Sequence, residues 1–321
     1  MTKKPMPYIT RFAGDKRAAV SVTFDDGYDM KSARFFNDEM KKNGLYGTIN
    51  MTWCFVEKHI EEWTELLNEG IYDAANHSFG HSINYGKSEN VTTEMLEHDI
   101  SDAYYLLKEA FPSQSFLVNC TPFGGLCEES LAIMKRHHVA NRLGEPLKYY
   151  TEEITSKDLY TIPGFAALND TTTEEMNAIT DEAIRIGAYY VEIFHQCAPD
   201  DIRGNRITAK ESVVRDHFAY LGTKHGEMWT PSFTQMVKYV LEKENTELAC
   251  EESDDAIRIT LNCSLDPALY DYPLTVKTAL PEDWAAVTAE GATLLAVKDE
   301  DGVRYAVAEA MPGNTVVLKK Q

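Results

Sequence analysis

AAVSVTFDDGY, residues 18–28, carries an apolar, β-branched run into two adjacent carboxylates, Asp25 and Asp26, with Gly27 directly behind them. A run of this kind is wanted in a sheet, so Ala18 to Phe24 is expected as a strand. The aspartates then fall where the strand ends, and Gly27 lets the chain turn without a Cβ. Two neighbouring carboxylates repel unless a cation or a shared proton offsets the repulsion. A metal is the first partner to look for, with its remaining ligands at other strand ends.

Outward from this stretch the pattern alternates. Helices are expected over about 29–43, 61–69, 93–111, 130–136 and 172–186, and again after Thr230-Pro231. Strands are expected over 46–51, 71–75, 115–118, 139–140, 159–162 and 189–194. Strand and helix in turn is the βα pattern of an α/β sheet or barrel. In such folds ligands bind at strand ends, which is where the polar candidates fall here.

From Ala256 the helical period disappears, and short strands with turns at Asp301-Gly302 and Pro312-Gly313-Asn314 predict a small all-β sandwich. Charged residues dominate Glu242 to Asp255, so the division is placed there: 1–245 as the catalytic domain, 246–321 as a C-terminal β module.

The chemistry gathers around NHSFGHS. His77 and His81 are separated by three residues and can converge on one ion from a helical turn or tight loop. With one aspartate of the pair they supply two imidazoles and a carboxylate and leave room for water and substrate. The other aspartate is placed as general base, and spacing alone does not say which is which. His195 closes the strand 189–194 and suits a general acid. Thr121 to Gly125, between a strand and a helix, could aim backbone N–H groups at a developing oxyanion.

The chain of 321 residues has a net charge of −20, which disfavours nucleic acid and anionic membranes as partners. It contains no 18-residue apolar span, and MTKKPMPYIT has no hydrophobic region of the signal-peptide kind. The six cysteines form no C-x-x-C pair, and Cys120 and Cys127 read as ordinary buried thiols.

These motifs resemble those of the polysaccharide deacetylases, carbohydrate esterase family 4, whose NodB-homology domain is a distorted (β/α) barrel. The family's TFDDG stands intact at Thr23 to Gly27, which implies Asp25 as base and Asp26 as metal ligand. Its H-(S/T)-x-x-H-(S/T) matches His77 to Ser82, implying both histidines as ligands and Ser82 as a residue that orders the loop. The third motif, R-P-P-Y/F-G, is met only by Cys120-Thr121-Pro122-Phe123-Gly124. Phe123 would give its amide to an oxyanion hole, while the base-orienting arginine falls on Cys120. Arg142, after the strand at 139–140, is the candidate substitute.

The fourth motif has no match, Asp158 being the nearest aspartate by order, and Ile193-Phe194-His195 fits the fifth. The resemblance implies metal-dependent removal of acetyl groups from a carbohydrate, with zinc expected and cobalt or nickel able to replace it. Loss of third- and fourth-motif support leans toward O-acetyl esters such as acetylated xylan over N-acetylglucosamine polymers. Trp53 and Phe123 are the expected sugar-stacking aromatics. The alternatives are a small-molecule amide hydrolase of the same broader fold and a carbohydrate-binding protein with a decayed site. A polymer substrate implies an extracellular or periplasmic location if a signal peptide was removed, and otherwise a cytoplasmic one; oligomeric state is left open.

Overall fold

The computed structural model describes residues 6–86, 90–202 and 204–321. The chain divides into two compact units. The larger, Ala18–Val237, is built on an eight-stranded parallel sheet. Its strands run in the order Ala140–Arg142, Val118–Cys120, Tyr72–Asn76, Gly47–Met51, Ala18–Phe24, Tyr189–Phe194 and Phe165–Ala166. Met228–Trp229 lies beside the start of Ala18–Phe24.

Ala18–Phe24 is buried along its whole length, as a central parallel strand covered on both faces must be. The helix Met30–Asn43 follows it, with Asp29 accepting from the Lys31 amide and Gly44 ending it in the left-handed conformation. It buries Ala33, Phe36 and Met40.

The expected strand at 159–162 is instead a connecting segment that joins the two sheet edges. Asn141 and Leu143 donate to the carbonyls of Leu159 and Ile162, at 2.8 Å each, and the chain then enters Phe165–Ala166. This closure makes the sheet a distorted barrel. The expected helix at 93–111 is interrupted by one π-helical turn, His98–Asp102, between helical Thr93–Glu97 and Ala103–Ala110.

The second unit takes the described residues up to Arg17 together with Lys238–Gln321. It holds two four-stranded antiparallel sheets. One orders Tyr8–Ile9, Leu274–Ala279, Val303–Ala310 and Thr293–Glu300; the other orders Thr246–Glu252, Ala256–Cys263, Thr315–Lys320 and Val287–Glu290. Ile257, Ile259, Leu261, Trp284, Val316 and Leu318 are in its buried core.

This grouping differs from the linear division at 245/246. Tyr8 and Ile9 pair with Lys277 and Val276, so the chain's start belongs with its end. The charged stretch where the division is placed contains the strand Thr246–Glu252, which lies at a sheet edge and exposes Glu247, Glu251 and Glu252. Charge on an edge strand guards its unpaired backbone and hides the strand from a hydrophobicity reading. Among the described residues no helix is long and apolar enough to cross a membrane.

Candidate active site

Parallel register sets the site. Phe24 pairs with Phe194, and the Asp25 amide donates to the Phe194 carbonyl at 2.8 Å, so Asp25 and His195 leave neighbouring strands at one level. Two strands on from the Asp25 strand's other neighbour, Cys120 pairs with Arg142. The Arg142 guanidinium donates to Asp25 Oδ1 and, at 2.9 Å, to the Leu143 carbonyl. Asn50 Nδ2 donates to the same Asp25 oxygen at 2.7 Å, and the Cys120 sulfur lies 3.9 Å from it. Asp25 Oδ2 faces His195 Nε2 at 3.8 Å and His77 Nε2 at 3.9 Å.

Asp26 and Gly27 take consecutive positive φ angles, 76° and 75°. At Gly27 a Cβ would meet Val56 Cγ1 at 2.9 Å, so both backbone and space require glycine. Asp26 Oδ1 lies 3.6 Å from His77 Nε2 and 3.5 Å from His81 Nε2.

The histidines sit on a tight loop, with Ser78 and His81 at φ 84° and 50°. His77 Nδ1 is 2.9 Å from the Cys120 carbonyl. A carbonyl only accepts, so Nδ1 carries the proton and Nε2 presents its lone pair toward Asp26. The His81 amide donates to Ser78 Oγ at 2.8 Å, while Ser82 is exposed. Ser78 therefore does in this loop what the motif resemblance assigns to Ser82.

The two carboxylates differ in charge state. Burial pushes Asp25 up, but Arg142, with the facing histidines, outweighs it and holds the group well below the usual carboxylate range. Asp26 is pushed up to about 6 by burial and then by the charge of Asp25. Burial lowers His77 to about 3 and also lowers His81, so His77 is neutral at neutral pH and Arg142 is the standing counter-charge on Asp25.

Asp26 Oδ1 and His77 Nε2 are buried and make no hydrogen bond among the described residues. A divalent cation fits this arrangement: it would satisfy both orphaned atoms and offset the charge that raises Asp26. Two imidazoles and a carboxylate are also a donor set that such ions accept. A second triplet, Asp25, His77 and Cys120, fits less well. Asp25 is already engaged by Arg142, and burial drives the Cys120 thiol well above its usual range, keeping it protonated.

Asp25, Asp26, His81, Phe123, Arg142 and His195 all line one cleft of about 310 Å³. Phe123 is 62% exposed, with its ring centroid 4.5 Å from that of His81. Its φ of 57° sharpens the turn after the strand Val118–Cys120. Trp53 is not part of this lining. It opens the short helix Trp53–Val56, packs half-buried against the hydrophobic core and donates its amide to the Ser78 carbonyl at 3.0 Å. Asp158 accepts from the Thr155 amide and hydroxyl at 2.9 Å each, within its own turn. His195 Nδ1 is buried without a hydrogen bond among the described residues.

Sequence reasoning missed Asn50, Asp99 and Arg206, the last of which also lines the cleft. Asn50 and Arg206 have no motif around them. Asp99 had a signal: it falls on the stripe Leu96, Ile100, Ala103, Leu107, where a carboxylate is out of place unless something meets it.

A parallel barrel with carboxylates and histidines on one rim defines an α/β protein with a site suited to a divalent ion. Residues 13–141 match the polysaccharide deacetylase family model, and additional β structure follows the parallel barrel in the chain. A gellan lyase from a Bacillus species is 22% identical over 329 residues, covering 95% of this chain and 13% of that protein. The chain thus spans only about 13% of the length of that curated relative. Among solved structures it is similar to a family 4 carbohydrate esterase from Streptomyces lividans, with TM-score 0.46, 14% identity, and coverage of 67% of this chain and 92% of the other. It is also similar to a carbohydrate esterase family 4 pseudoenzyme from Bacillus anthracis, with TM-score 0.46, 11% identity, and coverage of 66% and 62%.

Proposed function

We propose that this protein is a metal-dependent hydrolase that removes acetyl groups from a carbohydrate. The observation that carries the reading is the buried, unpartnered pair Asp26 Oδ1 and His77 Nε2, with His81 beside them and Asp25 and His195 on the same cleft. Asp26, His77 and His81 would hold the ion. When bound, a divalent ion in such a site, zinc by default, acidifies water and polarises an acyl oxygen.

Asp25, kept ionised by Arg142, accepts the proton of the attacking water. The Phe123 amide donates to the oxygen that gains charge, and its exposed ring offers a face to a sugar. His195 Nε2 gives a proton to the departing oxygen or nitrogen, and acetate leaves. Because no carboxylate among the described residues supports His195 Nδ1, the acid is less assisted than a paired one. An alkoxide leaving group needs less help than an amine, which favours O-acetyl esters such as acetylated xylan over N-acetylglucosamine polymers.

The test is acetate release from acetylated xylan and from N-acetylglucosamine oligomers by metal-stripped protein, before and after zinc or cobalt is restored, with Asp25→Asn as control. Metal-dependent release that the control loses supports the hydrolase. Metal and glycan binding without release, in folded protein, supports a binding protein with a decayed site instead, the reading that the unsupported His195 favours.

A further inference from the structure

The ligand loop is held at nearly every backbone group. His77 donates its amide to the Met51 carbonyl at 2.9 Å, Ser78 to Asn76 Oδ1 at 3.1 Å and His81 to Ser78 Oγ at 2.8 Å. On the carbonyl side, His77, Ser78 and Phe79 accept from Thr52 Oγ1, Trp53 N and Cys54 N at 3.0, 3.0 and 2.9 Å. Two amides remain, those of Phe79 and Gly80, between the two histidines. Both point at Asp99: its Oδ1 lies 3.2 Å from each, and its backbone carbonyl also accepts from Phe79 at 2.9 Å.

Asp99 is 2% exposed, and it reaches the loop from the single π-helical turn His98–Asp102. A π-turn widens the helix locally and redirects a side chain that would otherwise follow the apolar stripe. The loop needs such restraint. Ser78 and His81 are non-glycine residues at positive φ, strained conformations that persist only when their surroundings fix them.

We propose that Asp99 is a positioning residue for the metal ligands: its carboxylate clamps the amides of Phe79 and Gly80 and so fixes the spacing of His77 and His81. This rests on the reading that those histidines hold a divalent ion. The π-turn belongs to the device, since it puts an acceptor from a separate helix under the loop. Neighbours of metal ligands acting in this way are worth about 10- to 100-fold in metal affinity.

The experiment is a calorimetric titration of the metal-stripped full chain with zinc(II), with thermal unfolding of each variant recorded alongside. Asp99→Ala is expected to bind zinc at least tenfold more weakly while still folded. Asp99→Asn keeps an oxygen at the same reach and is expected within about threefold of wild type. Should Asp99→Ala not fold, Asp99→Ser, whose oxygen is too short to reach both amides, takes its place with the same expectation. A residue that served only the fold would lower the unfolding temperature and leave zinc affinity alone; that result overturns the proposal. Equal losses in Asp99→Asn and Asp99→Ala overturn it too, because the acceptor would not be what matters. Wild-type protein that binds no zinc overturns both this proposal and the hydrolase reading, whereas unchanged binding in Asp99→Ala overturns this one alone.

Discussion

Arg142 stands opposite Cys120 in the parallel register, and its guanidinium makes the charged contact with Asp25, while the Cys120 sulfur lies 3.9 Å from the same oxygen. The guanidinium that meets Asp25 thus comes from the strand next to the one that ends in Cys120. Cys120 keeps a different task, since its carbonyl fixes the His77 tautomer with the backbone alone.

Removing Arg142 strands a buried charge. Arg142→Gln is expected to cost about 3–5 kcal/mol of stability at pH 7 and most of the acetyl-releasing activity, whereas Cys120→Ala should keep both nearly intact. The sign follows from Asp25, whose carboxyl is held below its unfolded value. Its contribution is complete above the ordinary carboxylate range and fades as pH falls through its lowered folded value. Denaturant unfolding between pH 3 and 7 checks this: the Arg142→Gln penalty should shrink toward the acid end.

Asp26 behaves in the opposite way. Raised to about 6, it destabilises metal-free protein progressively as pH climbs from the unfolded carboxylate range through 6. Asp26→Asn should therefore make metal-free protein more stable at pH 7, on the order of 2 kcal/mol, while abolishing tight zinc binding. Zinc affinity of the wild type should drop as pH is lowered through 6, because the ligand must lose its proton first. Unfolding curves with and without zinc at pH 5 and 7 read both effects.

His195→Ala should separate the two substrate classes. Release from an N-acetyl substrate is expected to fall by about 10², and release from an O-acetyl ester by clearly less. Equal losses would remove the argument for an ester preference. The comparison needs kcat for each substrate with the same metal-loaded preparation.

Phe123 acts through two different parts of the residue. Phe123→Ala keeps the amide and loses the ring that leans on His81, so KM for an oligosaccharide should rise several-fold with kcat little changed. A large fall in kcat instead would place the ring in the chemistry, through His81.

Much of this could be read from the chain because strand ends announce themselves. Ala18–Phe24 is buried on both faces, so a mostly apolar and β-branched run marks it, and the charged or titratable residues that end such runs, Asp25 and His195, are those the sheet gathers. What escaped depends on partners distant in sequence. Arg142 could be named as a candidate, but its contact with Asp25 depends on strand order, which no local pattern encodes. Asp99 sits inside a sequence that reads as one helix, and a π-turn leaves no mark on the hydrophobic period. Trp53 looked like a sugar platform because aromatics serve cores and clefts with the same face. The strand Thr246–Glu252 falls in the charged stretch where the division was placed, because edge strands carry charge.

The pairing of Tyr8–Ile9 with Leu274–Ala279 has a consequence for biosynthesis. A ribosome delivers the first of these strands more than 250 residues before its neighbour. The opening segment must wait, unpaired, while the barrel between them emerges and folds. The second unit can close only after Leu274–Ala279 has been made. Residues 246–321 produced by themselves would lack that outer strand, leaving the backbone edge of Leu274–Ala279 open to pair with another copy.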